Sequence, residues 1–70
     1  MKNNMILIDL YKKGEGVLRK FPAVHSVKEA EDLIKNYIAE HNLTIVAREV
    51  CFDATWTYLS DGTELDYCLE

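Results

Sequence analysis

Hydrophobic and polar residues alternate with a period of two from the beginning of the chain. In "MILIDLY", residues 5–11, Ile6, Ile8 and Leu10 share one parity and Leu7, Asp9 and Tyr11 the other, which predicts a strand with one markedly apolar face. The following "KKGEG" supplies two glycines able to take positive φ. "VLRKF" then resumes the extended pattern until Pro22 removes a donor and stops the ladder. Residues 5–21 are therefore predicted to form a β-hairpin. After this the period lengthens. Ser26 and Glu29 stand in the S-x-x-E relation of a capping box, with Glu29, Glu31 and Asp32 at the positive end of the dipole, so a helix is predicted to begin at Val27. Val27, Ala30, Ile34, Tyr37, Ile38 and His41 form its apolar stripe with Leu33 at the margin, Glu31 is spaced to pair with Lys35, and Asn42 suits a left-handed stop.

The period of two then returns. "LTIVAREVCF" is rich in β-branched residues, but Leu43, Ile45 and Ala47 keep one parity and Val50 and Phe52 the other, so a bulge is expected near Arg48 and Glu49. "TWTYLS", Asp61-Gly62 and "TELDYCL" predict a second hairpin. A two-residue turn at Asp61-Gly62 sets Tyr58 opposite Leu65 and Trp56 opposite Tyr67 on the core face, with Phe52 sharing their inward parity. Glu64 and Asp66 then point away from the core.

These elements give a ββαβββ layout in a single domain, residues 1–70. The expected fold class is α+β, a five-stranded antiparallel sheet with one helix packed on one face. "MILI" suits a central strand and "VLRKF", ending at Pro22, an edge. A right-handed crossover through the helix then sets the third strand beside the first, for an expected order of 2-1-3-4-5. That order makes the strand bearing Glu64 and Asp66 one edge of the sheet and the strand bearing Arg19 and Lys20 the other.

Length and composition narrow the possibilities. A 70-residue chain buries only about 60% of its unfolded surface, so the core is small, yet a hydrophobic content of 49% suffices for one. No apolar run approaches the roughly 20 residues that span a bilayer, and "MKNNMILIDLYKK" lacks the features of a signal peptide, so a cytoplasmic location without membrane contact is expected. Cys51 and Cys68 have neither zinc-knuckle nor redox spacing, and are expected as free thiols on non-adjacent strands. Net charge is −4, distributed unevenly: residues 1–28 sum to +4 and residues 29–70 to −8. An acidic surface of Glu49, Asp53, Asp61, Glu64, Asp66 and Glu70 is the candidate contact region, and Lys12, Lys13, Arg19 and Lys20 form the alternative basic patch.

Catalytic chemistry finds no support in the spacing. Glu64 and Asp66 have no histidine or further carboxylate fixed near them, and His25 and His41 lie at opposite ends of the helix, roughly 24 Å apart, too far to share a metal. Cys68 sits on an acidic strand that disfavours its thiolate, and "KKGEGV" lacks the pattern of a phosphate loop. Neither a catalytic nor a metal site is expected, no cofactor is implied, and the protein is not expected to be an enzyme. The aromatic residues are expected in the core rather than stacked on bases. With an acidic balance overall, this argues against direct nucleic-acid binding.

In size and layout, with "LIDLYKKGEGVLRKF", a capped "SVKEAEDLIKNYIAE" helix and an acidic C-terminal hairpin, the chain resembles the small accessory proteins of phages and mobile elements, including anti-CRISPR proteins. The resemblance implies an inhibitor that acts by protein–protein contact in the cytoplasm of a bacterial host. Such an inhibitor occupies a basic nucleic-acid-binding surface of its target with acids in place of phosphate. Two alternatives stand beside it: a nucleic-acid-binding accessory protein using the basic hairpin, and a self-associating structural protein, a homodimer joined through its edge strands.

Overall fold

The computed structural model describes residues 5–68. Its elements are β1 (Leu7–Lys12), β2 (Gly16–Lys20), α1 (Val27–Glu40), β3 (Ile45–Cys51), β4 (Ala54–Leu59) and β5 (Thr63–Cys68). The fold is α+β, with all five strands in one open sheet whose adjacent pairs are antiparallel. The strand order is β2-β1-β5-β4-β3, not the expected 2-1-3-4-5. β5, rather than β3, lies beside β1, and β3 becomes the outer edge.

The burial patterns supply the reason. Thr63, Leu65 and Tyr67 of β5 alternate cleanly and are buried, as are Ile8 and Leu10 of β1, and the two strands pair with Leu10 opposite Leu65 and Ile8 opposite Tyr67. β3 lacks a continuous alternation and carries Arg48 and Glu49 at its centre, and every one of its residues is exposed. A strand that cannot present one apolar face is better placed at an edge than between two buried strands. The register shift in β3 falls between Ile45 and Ala47, earlier than the predicted bulge at Arg48 and Glu49.

The β4–β5 register also differs, by one residue. Leu59 and Thr63 enclose the three residues Ser60, Asp61 and Gly62, with the Gly62 N–H donating to the Leu59 carbonyl and Gly62 at φ +89. This is the longer hairpin loop ending in a left-handed glycine, not a two-residue turn. The Asp61 carboxylate closes it by accepting from the Thr63 N–H at 3.0 Å and from the Thr63 hydroxyl. Because side chains alternate, one extra loop residue turns every β4 side chain over. Thr57 is opposite Leu65 and Thr55 opposite Tyr67, while Trp56 meets Asp66 and Tyr58 meets Glu64. Trp56 and Tyr58 therefore leave the predicted core face, and Thr55, Thr57 and Leu59 are buried in their place. Phe52, also expected inside, is fully exposed.

The helix begins and ends where the sequence indicates. Ser26 Oγ accepts from the Glu29 N–H, and Asn42, at φ 53, follows the His41 C-cap. Ala30, Ile34 and Tyr37 of α1 join Ile6, Ile8, Leu10, Leu59, Leu65 and Tyr67 in one buried cluster. Glu31 does not take Lys35 as its hydrogen-bond partner. It accepts from the Arg48 guanidinium of β3 and from the Tyr67 hydroxyl of β5, the latter at 2.6 Å. Burial alone would raise the Glu31 pKa, but these two hydrogen bonds and the Arg48 charge outweigh it and hold the carboxyl below its usual value.

Candidate protein-binding face

The sheet face opposite the buried cluster is built in rows that cross the strands. One row runs Lys20, Asp9, Asp66, Trp56, Glu49, from β2 through β1, β5 and β4 to β3. The next runs Tyr11, Glu64, Tyr58, Ala47, and a third Leu7, Cys68, Ala54, Cys51. Strict alternation along each strand brings these residues together. The parity that buries Leu65 and Tyr67 turns Glu64 and Asp66 outward, and the three-residue loop adds Trp56 and Tyr58 to them.

Asp66 is the centre of this face. Asp9 lies across one neighbouring strand and Trp56 across the other, with Glu64 two residues along. Its Oδ1 is buried and has no hydrogen-bond partner among the described residues. Beside it lies a cavity of about 220 Å³ lined by Leu7, Asp9, Trp56, Asp66 and Cys68. Burial pushes the Asp66 pKa up to about 7, and the neighbouring carboxylates of Glu64 and Asp9 raise it in the same direction. Among the described residues, the charge opposite the three acids at this point is Lys20, 3.8 Å from Asp9 and largely exposed. At the rim, the Tyr58 hydroxyl donates to Glu49 at 2.7 Å, and this bond, more than desolvation, pushes its pKa to about 12.

The expected acidic surface is thus only partly assembled. Glu49, Glu64 and Asp66 share the face, Glu64 and Asp66 on a strand at the sheet's interior rather than at the expected edge, and Glu49 on the edge strand β3. Asp61 is committed to its loop, and Asp53 lies in the β3–β4 turn beside a groove on the other side of the sheet. Glu70 lies outside the described residues. The basic patch does not form a single surface. Arg19 and Lys12 share the parity of Leu10, Arg19 stacks over the Phe21 ring at 4.5 Å, and Lys12 is 3.7 Å from Glu15. Lys20 faces the opposite side, and Lys13 lies in the turn.

Asp9 was not among the sequence candidates, because it belongs to the basic end of the chain. Its position opposite Asp66 arises only from the β1–β5 pairing. Cys51 and Cys68 are free and flank Ala54 from the two neighbouring strands. Among the described residues, no group of three or more His, Cys, Asp or Glu is arranged to hold a metal ion, and no helix is long and apolar enough to cross a membrane. In comparisons with known proteins, the chain matches no protein family, no curated protein and no solved structure.

Proposed function

We propose that this is a small acidic binding protein that acts by protein–protein contact through the face centred on Asp66, and that the surface it occupies on its target is basic. The observation that carries this reading is the buried, unpartnered Asp66 Oδ1 beside the Trp56 ring. A desolvated carboxylate oxygen without a donor is costly in the free protein, and a guanidinium or ammonium group entering the neighbouring cavity would supply both hydrogen bond and charge. Trp56 and Tyr58 add the flat aromatic contact on which such cations stack. Carboxylates spaced along β5 can stand in for phosphates on a surface that would otherwise hold nucleic acid, which is the mode of an anti-CRISPR-like inhibitor.

Direct nucleic-acid binding finds less support, because Lys12 and Lys20 already lie near carboxylates and the basic residues point to different sides. The test is affinity capture from nuclease-treated bacterial lysate, comparing the protein with its Glu64→Lys/Asp66→Lys variant. Proteins retained by the former and lost by the latter, and released by added nucleic acid, are the expected result. Identical retention by both would refute the assignment of the face.

A further inference from the structure

A different surface carries an independent inference. All seven residues of β3 are exposed, and among the described residues no strand lies against its outer side. Val50 is 73% exposed, and the Phe52 side chain stands wholly in solvent. Phe52 does so at φ +54, a left-handed conformation that is costly for a bulky residue. Between the first turn of α1 and β3 lies a groove of about 250 Å³ whose walls include Val27, Glu31, Arg48, Val50 and Thr55, with Phe52 itself on its border. An open groove along β3 and an exposed aromatic ring in the turn just past the strand's end can serve as the two halves of an isologous contact, each copy's ring reaching the other's groove.

We propose that the edge of β3 takes a second copy of this chain, pairing antiparallel with the copy's β3 across a two-fold axis at Val50. The register follows from alternation and charge. Counted from the Cys51–Ala54 pair that closes the Phe52-Asp53 turn, ladder alternation directs the N–H and C=O groups of Val50 and Arg48 outward. A two-fold axis that keeps like faces on the same side can pass through any residue of the strand, but one at Ala47 or nearer Ile45 carries the copy's Phe52 past the groove. An axis at Arg48 or Glu49 sets two like charges in direct opposition, which disfavours it. An axis at Val50 pairs valine with valine, sets Glu49 opposite Cys51 of the copy, and brings Phe52 of the copy opposite Arg48, at the mouth of the groove. The ring then covers the Arg48–Glu31 pair and Val27, with the guanidinium available to its face. The two sheets join into one, and their acidic faces lie on the same side.

Sedimentation velocity over a wide concentration range tests this directly. A reversible dimer is expected, and Val50→Lys, which sets two ammonium groups on the axis, is expected to weaken it roughly tenfold or more. Phe52→Gly separates association from folding. Because glycine accepts positive φ without strain, the variant is expected to melt no lower than the parent under monomeric conditions while dimerising less. In a Cys51→Ser/Cys68→Ser background, Val50→Cys should oxidise to an interchain disulfide, since directly opposed strand residues lie about 4.5–5.5 Å apart. Ala47→Cys should not, being roughly 20 Å from its symmetry mate in this register. A monomer at every concentration, leaving the edge to a different chain, would overturn the proposal. So would a dimer that crosslinks through Ala47→Cys or through Leu18→Cys on β2 but not through Val50→Cys.

Discussion

Asp66 sits where period-two alternation turns a carboxylate outward, yet its neighbours Trp56 and Asp9 shield it. Its raised pKa makes it a pH-dependent element of stability. A carboxyl whose folded pKa stands above its unfolded value favours the fold while protonated. That contribution is complete below about 4, the ordinary aspartate value. It is lost as pH rises through about 7. Asp66→Asn keeps the shape and removes the titration, so the melting temperature of the parent should fall relative to the variant between pH 4 and pH 7. Parallel melting curves over that window would contradict the environment described for Asp66. At the centre of the core, Ile8 is 0% exposed, and Ile8→Ala should cost about 2–5 kcal/mol by denaturant unfolding, a large share of the stability of so small a domain. The outward direction of Glu64 and Asp66 and the inward direction of Ile6, Ile8 and Leu10 were both legible in the sequence, because each rests on local alternation alone. The unusual character of Asp66 was not, since it depends on which residues lie across the strands.

At the scale of elements, the second hairpin shows how one residue of loop length redirects a face. Asp61-Gly62 correctly marked the turn, but the sequence pattern accommodates a two-residue or a three-residue loop, and only the latter brings Trp56 beside Asp66. Gly62 holds the left-handed position, and Gly62→Ala, although it meets no atom within 4 Å, should destabilise the protein by about 1 kcal/mol or more through backbone strain alone. Unchanged stability would mean that Gly62 is not held in the left-handed conformation. The helix limits were legible because Ser26, Glu29 and Asn42 act locally, whereas Glu31 was assigned to Lys35 because a helical spacing rule says nothing about strands. Glu31 instead joins α1 to β3 and β5 through Arg48 and Tyr67. Glu31→Ala should therefore lower stability by roughly 1–3 kcal/mol, leaving the nearly buried Tyr67 hydroxyl short of its acceptor. Prior Tyr67→Phe substitution should reduce that cost in a double-mutant cycle.

Across the whole molecule, the ββαβββ layout and the α+β class followed from periods and punctuation, but the strand order did not. Placing the third strand beside the first assumed that the helical crossover returns to a neighbouring position. In the sheet, the β4–β5 hairpin lies between them, because β5 alternates cleanly enough to be buried beside β1 and β3 does not. The acidic strand consequently lies inside the sheet, flanked by Asp9 and Trp56, which converts a dispersed charge excess into a face with a centre. Trp56 is the only tryptophan in the chain and lies opposite Asp66, so its fluorescence reports on that face directly. The decisive measurement is a titration of Trp56 emission with an arginine-rich peptide at physiological ionic strength. A saturable change is predicted, lost in Glu64→Gln/Asp66→Asn, retained in Asp32→Asn/Glu40→Gln, which removes two carboxylates from the helix, and absent with single-stranded DNA. Equal loss in both variants, or a response to DNA in place of the peptide, would contradict the account.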